Sequence, residues 1–117
     1  MKKSEKMTLE EKALFLTGVG MRTKEYEKYD TGYTDMSDGP SGVRRPGENP
    51  IPGGDVAFPT ASAQAATWNP ELIHEMCGHM ALNCRKRGIN MLLAPAVNIH
   101  RSPLCGRNYE YFSEDPY

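Results

Sequence analysis

The chain has 117 residues, a length that fits one ordinary domain, with 14 basic against 15 acidic side chains and a formal net charge of -1. That balance supplies no long-range field for nucleic acid or an anionic membrane, so neither is an expected partner. No apolar run approaches the roughly 20 residues needed to span a bilayer, and a soluble protein is expected.

At the N-terminus, the positive charge of Lys2 and Lys3 runs into Thr8-Leu9-Glu10-Glu11-Lys12. These polar residues break the apolar core that a signal peptide needs, and a cytoplasmic location is the expectation. Thr8 and Glu11 have the spacing of a capping box, in which hydroxyl and carboxylate satisfy free backbone donors at a helix start. Leu9, Ala13, Leu14, Phe15 and Leu16 then supply apolar surface up to Gly18, a helix stop. The stretch from Gly18 to Tyr33 is polar and mixed. Its Gly18-Val19-Gly20 lacks the third glycine and the preceding strand of a nucleotide-binding loop.

Thr34 to Pro40 reads as a brief strand closed by a Gly-Pro breaker. From Pro40 to Thr67 the chain carries Pro46, Pro50, Pro52, Gly53, Gly54 and Pro59, and a long surface connection is expected there. A helix is predicted from Asn69, a cap residue followed by Pro70 at the first helical position and Glu71 at the positive end of the dipole. Leu72, Met76, Met80 and Cys84 recur every four residues, with Ile73, Cys77 and Ala81 beside them, which makes one apolar stripe. Arg85, Lys86 and Arg87 suit the carbonyl end, and Gly88 stops the helix. Ile89 to Ala94 is a nearly continuous apolar run bounded by Pro95, the pattern of a strand covered on both faces.

Strand, connection, helix and strand make a parallel βαβ unit. Loops leaving the carboxyl ends of its strands converge on one face, where active sites form. Asp38 ends the first strand, and the loop rich in arginine follows the second, so both polar clusters are expected at the same place. Two such strands do not close a barrel, which takes roughly 250 residues, and the expectation is an N-terminal fragment or a truncated gene product.

Several polar residues have two readings on spacing alone. Asp38 can accept from a pair of neighbouring sugar hydroxyls, or it can cap a turn. Arg107, after Gly106, presents a planar fork of donors that fits a ligand, Asp38 or Glu110. Arg44 and Arg101 carry the same ambiguity, with structural roles favoured. Glu114 and Asp115 are adjacent acids, but neighbouring side chains diverge and Pro116 marks a boundary, so capping is favoured over an acid/base pair. His74 and His79 are five apart, about 140° around a helix, which is not the four-residue spacing of a zinc helix. The three cysteines match neither a disulfide framework nor a zinc ribbon and read as buried or half-buried free thiols. No metal or cofactor is expected.

Met7-Thr8-Leu9-Glu10-Glu11-Lys12, SDGPSGVR at 37–44, AFPTASAQAATWNPELI at 57–73 and LLAPAVNIHRSPLCGRNYEYFSEDPY at 92–117, in this order, resemble the beginning of a glycoside hydrolase family 3 β-glucosidase. The resemblance spans nearly the whole chain, is weakest between Gly18 and Thr34, and is most specific in the last segment. It implies an α/β fold, the incomplete N-terminal part of a TIM-type (β/α) barrel, with residues 1–117 belonging to that domain. It also implies a retaining mechanism in which an aspartate attacks the anomeric carbon and a glutamate alternates between acid and base. In the family both residues come from later segments, as does a Lys-His pair that binds hydroxyls. What carries over is the family's sugar-binding aspartate at Asp38 and its sugar-binding arginine at Arg107, with Arg44 and Arg101 in supporting positions. The implied partner is a β-linked oligosaccharide or glucoside bearing a nonreducing-end glucosyl unit, and the isolated chain is expected to be inactive. A non-catalytic sugar-binding fragment and β-xylosidase-type specificity are the alternatives.

Overall fold

The computed structural model describes residues 2–44 and 56–116. Of the connection predicted from Pro40 to Thr67, the stretch 45–55, with Pro46, Pro50, Pro52, Gly53 and Gly54, lies outside the described residues. Helix α1 (Leu9–Thr17) opens with the expected reciprocal box: Thr8 Oγ1 accepts from the Glu11 amide at 3.2 Å, and Glu11 Oε2 accepts from the Thr8 amide at 2.9 Å. It ends at Gly18, whose φ of +68° an L side chain rarely adopts. Segment 18–34 then folds back on α1, where Tyr26 and Tyr29 donate to the backbone carbonyl and the carboxylate of Glu11.

Strand β1 (Met36–Asp38) is shorter than the predicted 34–40 because the Gly-Pro pair turns the chain at once. The connection after it contains a short helix, α2 (Ala61–Ala65), that the residue pattern did not predict. Five residues of alanine, serine and glutamine show no apolar period. The helix is held from outside, with Ala61 and Gln64 buried and the Gln64 side chain donating to the Pro59 carbonyl at 2.7 Å.

Helix α3 (Pro70–Lys86) follows its prediction, with Asn69 Oδ1 accepting from the Leu72 amide at 3.0 Å. Of the predicted stripe, Met80 and Cys84 are buried and Ile73 and Met76 half-buried, while Leu72, Cys77 and Ala81 are exposed. Strand β2 (Met91–Leu93) pairs in parallel with β1, Met36 opposite Met91 and Asp38 opposite Leu93. The βαβ unit is therefore present, and its register is pinned by Asn90, whose Oδ1 accepts from the Asp35 amide at 2.9 Å.

Two expectations need correction. Strand β2 is not covered on both faces: Met91 and Leu93 are 48% and 43% exposed, and among the described residues β1 is the one strand paired with it. The thiols are not all sheltered either, because Cys77 and Cys105 are exposed and only Cys84 is buried, its pKa raised by that burial.

Val43, Cys84 and Ile89 form a small core with Leu92 against it, tying the turn after β1 to the end of α3 and the start of β2. Among the described residues no helix is long and apolar enough to cross a membrane.

Candidate functional site

The turn after β1 is built by glycines. A side chain at Gly39 would place its Cβ 2.2 Å from the Gly42 carbonyl oxygen, and one at Gly42 would place it 2.5 Å from that of Val56. No residue but glycine allows these backbones to approach so closely. The turn is then stitched by its main chain and by Ser37. The Arg44 amide donates to the Asp38 carbonyl at 2.9 Å, and the buried Ser37 hydroxyl donates to the Arg44 carbonyl at 2.7 Å. Asp38 does not cap this turn. Its side chain is exposed, with no protein partner among the described residues.

The loop after β2 is organised by His100 and by α2. The His100 amide donates to the Ser113 carbonyl at 3.1 Å, and its Nε2 lies 3.1 Å from the Tyr111 carbonyl, a contact that requires the proton on that nitrogen. Ser62 of α2 donates to the same Tyr111 carbonyl at 2.9 Å. Asn108 Nδ2 donates to the Ser102 carbonyl at 2.8 Å. The loop is therefore fixed at several points before a single helical turn, Asn108–Glu110, that follows Arg107.

The two segments meet in a cleft of about 970 Å³ at the carboxyl ends of the strands. Asp38, Arg44, Arg107, Tyr109 and Glu110 line it, with Ser41 and Leu93. Of the four residues selected from the sequence, Asp38, Arg107 and Arg44 thus come together, whereas Arg101 is exposed and not part of the lining. Arg107 ion-pairs with Glu110 through Nε, and that hydrogen bond, then the charge, raise the guanidinium pKa. Of the partners open to Arg107 on spacing, the protein partner it has is Glu110 rather than Asp38. Glu114 and Asp115 are exposed and outside the lining, and the Ser113 hydroxyl accepts from the Asp115 amide at 2.9 Å as a local turn. His79 sits 4.0 Å from Glu75, one turn away on α3.

The residue pattern missed Ser41 and Tyr109 as lining residues. Ser41 Oγ is buried and has no hydrogen-bond partner among the described residues, a condition that costs free energy unless another group supplies one. The SDGPSG turn held the available signal, since Ser41 lies within the turn that Gly39 and Gly42 build.

A parallel βαβ segment with a polar cleft at the carboxyl ends of its strands is the arrangement shared by α/β barrels and open α/β sheets. The model of the glycosyl hydrolase family 3 N-terminal domain matches residues 47–117, and the chain belongs to that family. It is 41% identical over 95% of its length to thermostable beta-glucosidase B of Acetivibrio thermocellus. It is 39% identical over 95% of its length to an exo-alpha-(1->6)-L-arabinopyranosidase of Bifidobacterium longum. In each case it spans 16% of the relative's own length. Among solved structures, the GH3 beta-glucosidase of Bifidobacterium adolescentis superposes with a TM-score of 0.83 at 38% identity, over 97% of this chain and 16% of that one. Beta-glucosidase 3B of Thermotoga neapolitana in complex with alpha-D-glucose gives 0.83 at 35% identity, over 97% and 19%. The chain therefore folds as a part of the (β/α) barrel of these enzymes.

Proposed function

We propose that this chain supplies the sugar-gripping wall in the barrel of a retaining glycosidase of the β-glucosidase type. Asp38 and Arg107 hold hydroxyls of a nonreducing-end β-D-glucosyl unit, with Arg44 and Arg101 in support. The nucleophilic aspartate and the acid/base glutamate lie outside residues 1–117, which belong to the barrel domain. The observation that carries this reading is that Asp38 and Arg107, far apart in sequence, line one cleft at the carboxyl ends of the strands.

The chemistry is consistent with a neutral sugar. An unpaired carboxylate offers acceptors, the free edge of a guanidinium offers donors, and a vicinal pair of hydroxyls needs both. The orphaned Ser41 hydroxyl in the same wall adds a further polar contact.

The test is Asp38→Ala in a family 3 enzyme that carries this chain as its matching segment. Hydrogen bonds to charged groups contribute about 1.5–3 kcal/mol each, and contacts to remote hydroxyls hold the ring in its distorted form. The expected loss in kcat/KM on an aryl β-glucoside is at least about a hundredfold, roughly 2.7 kcal/mol. Near-normal turnover would overturn the assignment.

A further inference from the structure

We infer that Glu110 is the positioning residue of Arg107: its sheltered carboxylate takes the Nε–H of the guanidinium and leaves the two terminal amino groups as the edge presented to the cleft. The inference rests on the sugar-binding reading of Arg107 and adds a residue to it. Glu110 is 6% exposed, and its side chain accepts from Arg107 Nε. The Arg107 side chain is 72% exposed, and its terminal amino groups have no protein partner among the described residues. The pair is therefore asymmetric, with the acid inside the wall and the cation at its surface.

The local backbone makes this possible. Glu110 donates its amide to the Arg107 carbonyl at 3.1 Å, closing one tight turn that brings a side chain three residues on back over the first. Loss of accessible surface leaves a carboxylate in need of a partner, and Arg107 provides it. In return the guanidinium, which carries rotamer-rich torsions, is held at the nitrogen nearest its stem while its outer edge stays open. Arg107 keeps its charge under this hold, since Glu110 raises the guanidinium pKa. The ion pair also separates Glu110 from Asp38, whose side chain lines the same cleft with no protein partner among the described residues.

Two measurements test this. In the chain labelled with nitrogen-15 at arginine, the Nε–H of Arg107 is expected to exchange with water at least about tenfold faster in Glu110→Leu than in the original, the factor that losing one charge-assisted hydrogen bond corresponds to. Glu110→Gln, which keeps an acceptor of the same length, is expected to fall between them, and it serves alone if the leucine variant does not fold. Unchanged exchange in Glu110→Gln, with the remaining amide spectrum intact, overturns the inference whatever Arg107 binds. The second measurement is glucose inhibition of a family 3 enzyme carrying this chain. Glu110→Gln is expected to weaken inhibition about fivefold to tenfold in the Arg107 background and not at all in the Arg107→Ala background. Equal weakening in both backgrounds means a purely structural role and overturns the inference. Arg107→Ala with unaltered inhibition instead removes the sugar-binding reading beneath it.

Discussion

At the scale of single residues, Glu11 shows how much of this chain's local order depends on one ionised carboxylate. Its oxygens accept from the Thr8 amide and the Tyr29 hydroxyl and ion-pair with Lys28. The hydrogen bond from Lys28, then those from Thr8 and Tyr29, lower its pKa from 4.5 to about 2. A group depressed in the folded state adds stability that is fully present above its unfolded pKa and is lost as pH falls through the folded one. The N-terminal segment is thus expected to weaken progressively between about pH 4.5 and pH 2. Urea midpoints across that window should fall more steeply for the original than for Glu11→Gln, which keeps acceptors but does not titrate. Parallel slopes would show that the cluster of Lys28, Tyr29 and Glu11 does not hold in solution. The Thr8–Glu11 spacing was readable as a cap, but the clasp by Tyr29 and Lys28 was not, because it joins residues that only the fold brings together.

At the scale of elements, α3 was the part most legible in the sequence, and the reason is local chemistry. Asn69, Pro70, Glu71, the stripe through Met80 and Cys84, the basic last turn and Gly88 all act within a few residues of their own positions. Removing the cap tests the first of these: Asn69→Ala is expected to cost about 1 kcal/mol, with Asn69→Asp retaining most of it, read as a shift of the urea midpoint. An alanine variant as stable as the original would mean that docking of Met80 and Cys84, not capping, fixes the start of α3. Elements whose cause lies elsewhere were harder to read. Helix α2 exists because Gln64 reaches Pro59 and Ser62 reaches Tyr111, neither of which leaves a period in the sequence. The apolar run of β2 was recognisable as a strand, but whether both of its faces are covered is not a property of the run itself, and they are not. Composition reports what a strand is able to bury, and only its neighbours determine what it does bury. In the cleft, Asp38 and Arg107 stood out through glycine-flanked polar motifs. Glu110 was named as one possible partner for Arg107, yet the burial that makes it the buried half of the pair depends on how the loop after β2 is anchored.

At the scale of the whole molecule, a radius of gyration of 17.8 Å contrasts with about 13 Å for a compact domain of this length. The excess agrees with an open apolar groove of about 440 Å³ lined by Met76, Met80, Ile89, Leu92 and Phe112, and with the half-exposed Met91 and Leu93. The polar cleft is equally one-sided. Retaining hydrolysis needs two carboxyl groups about 5–5.5 Å apart across the scissile bond, one free to attack and one able to pass a proton. Among the described residues the cleft presents two carboxylates, Asp38 and Glu110, and Glu110 is committed to Arg107. One free carboxylate can grip a sugar or attack it, but cannot also protonate the leaving oxygen. The purified 117-residue chain is therefore expected to show no turnover of an aryl β-glucoside above the uncatalysed rate, while a family 3 enzyme carrying it in place of its matching segment hydrolyses the same substrate. Saturable hydrolysis by the chain alone, abolished by Asp38→Ala, would mean that this wall holds a complete catalytic pair and that the division of labour proposed for it is wrong.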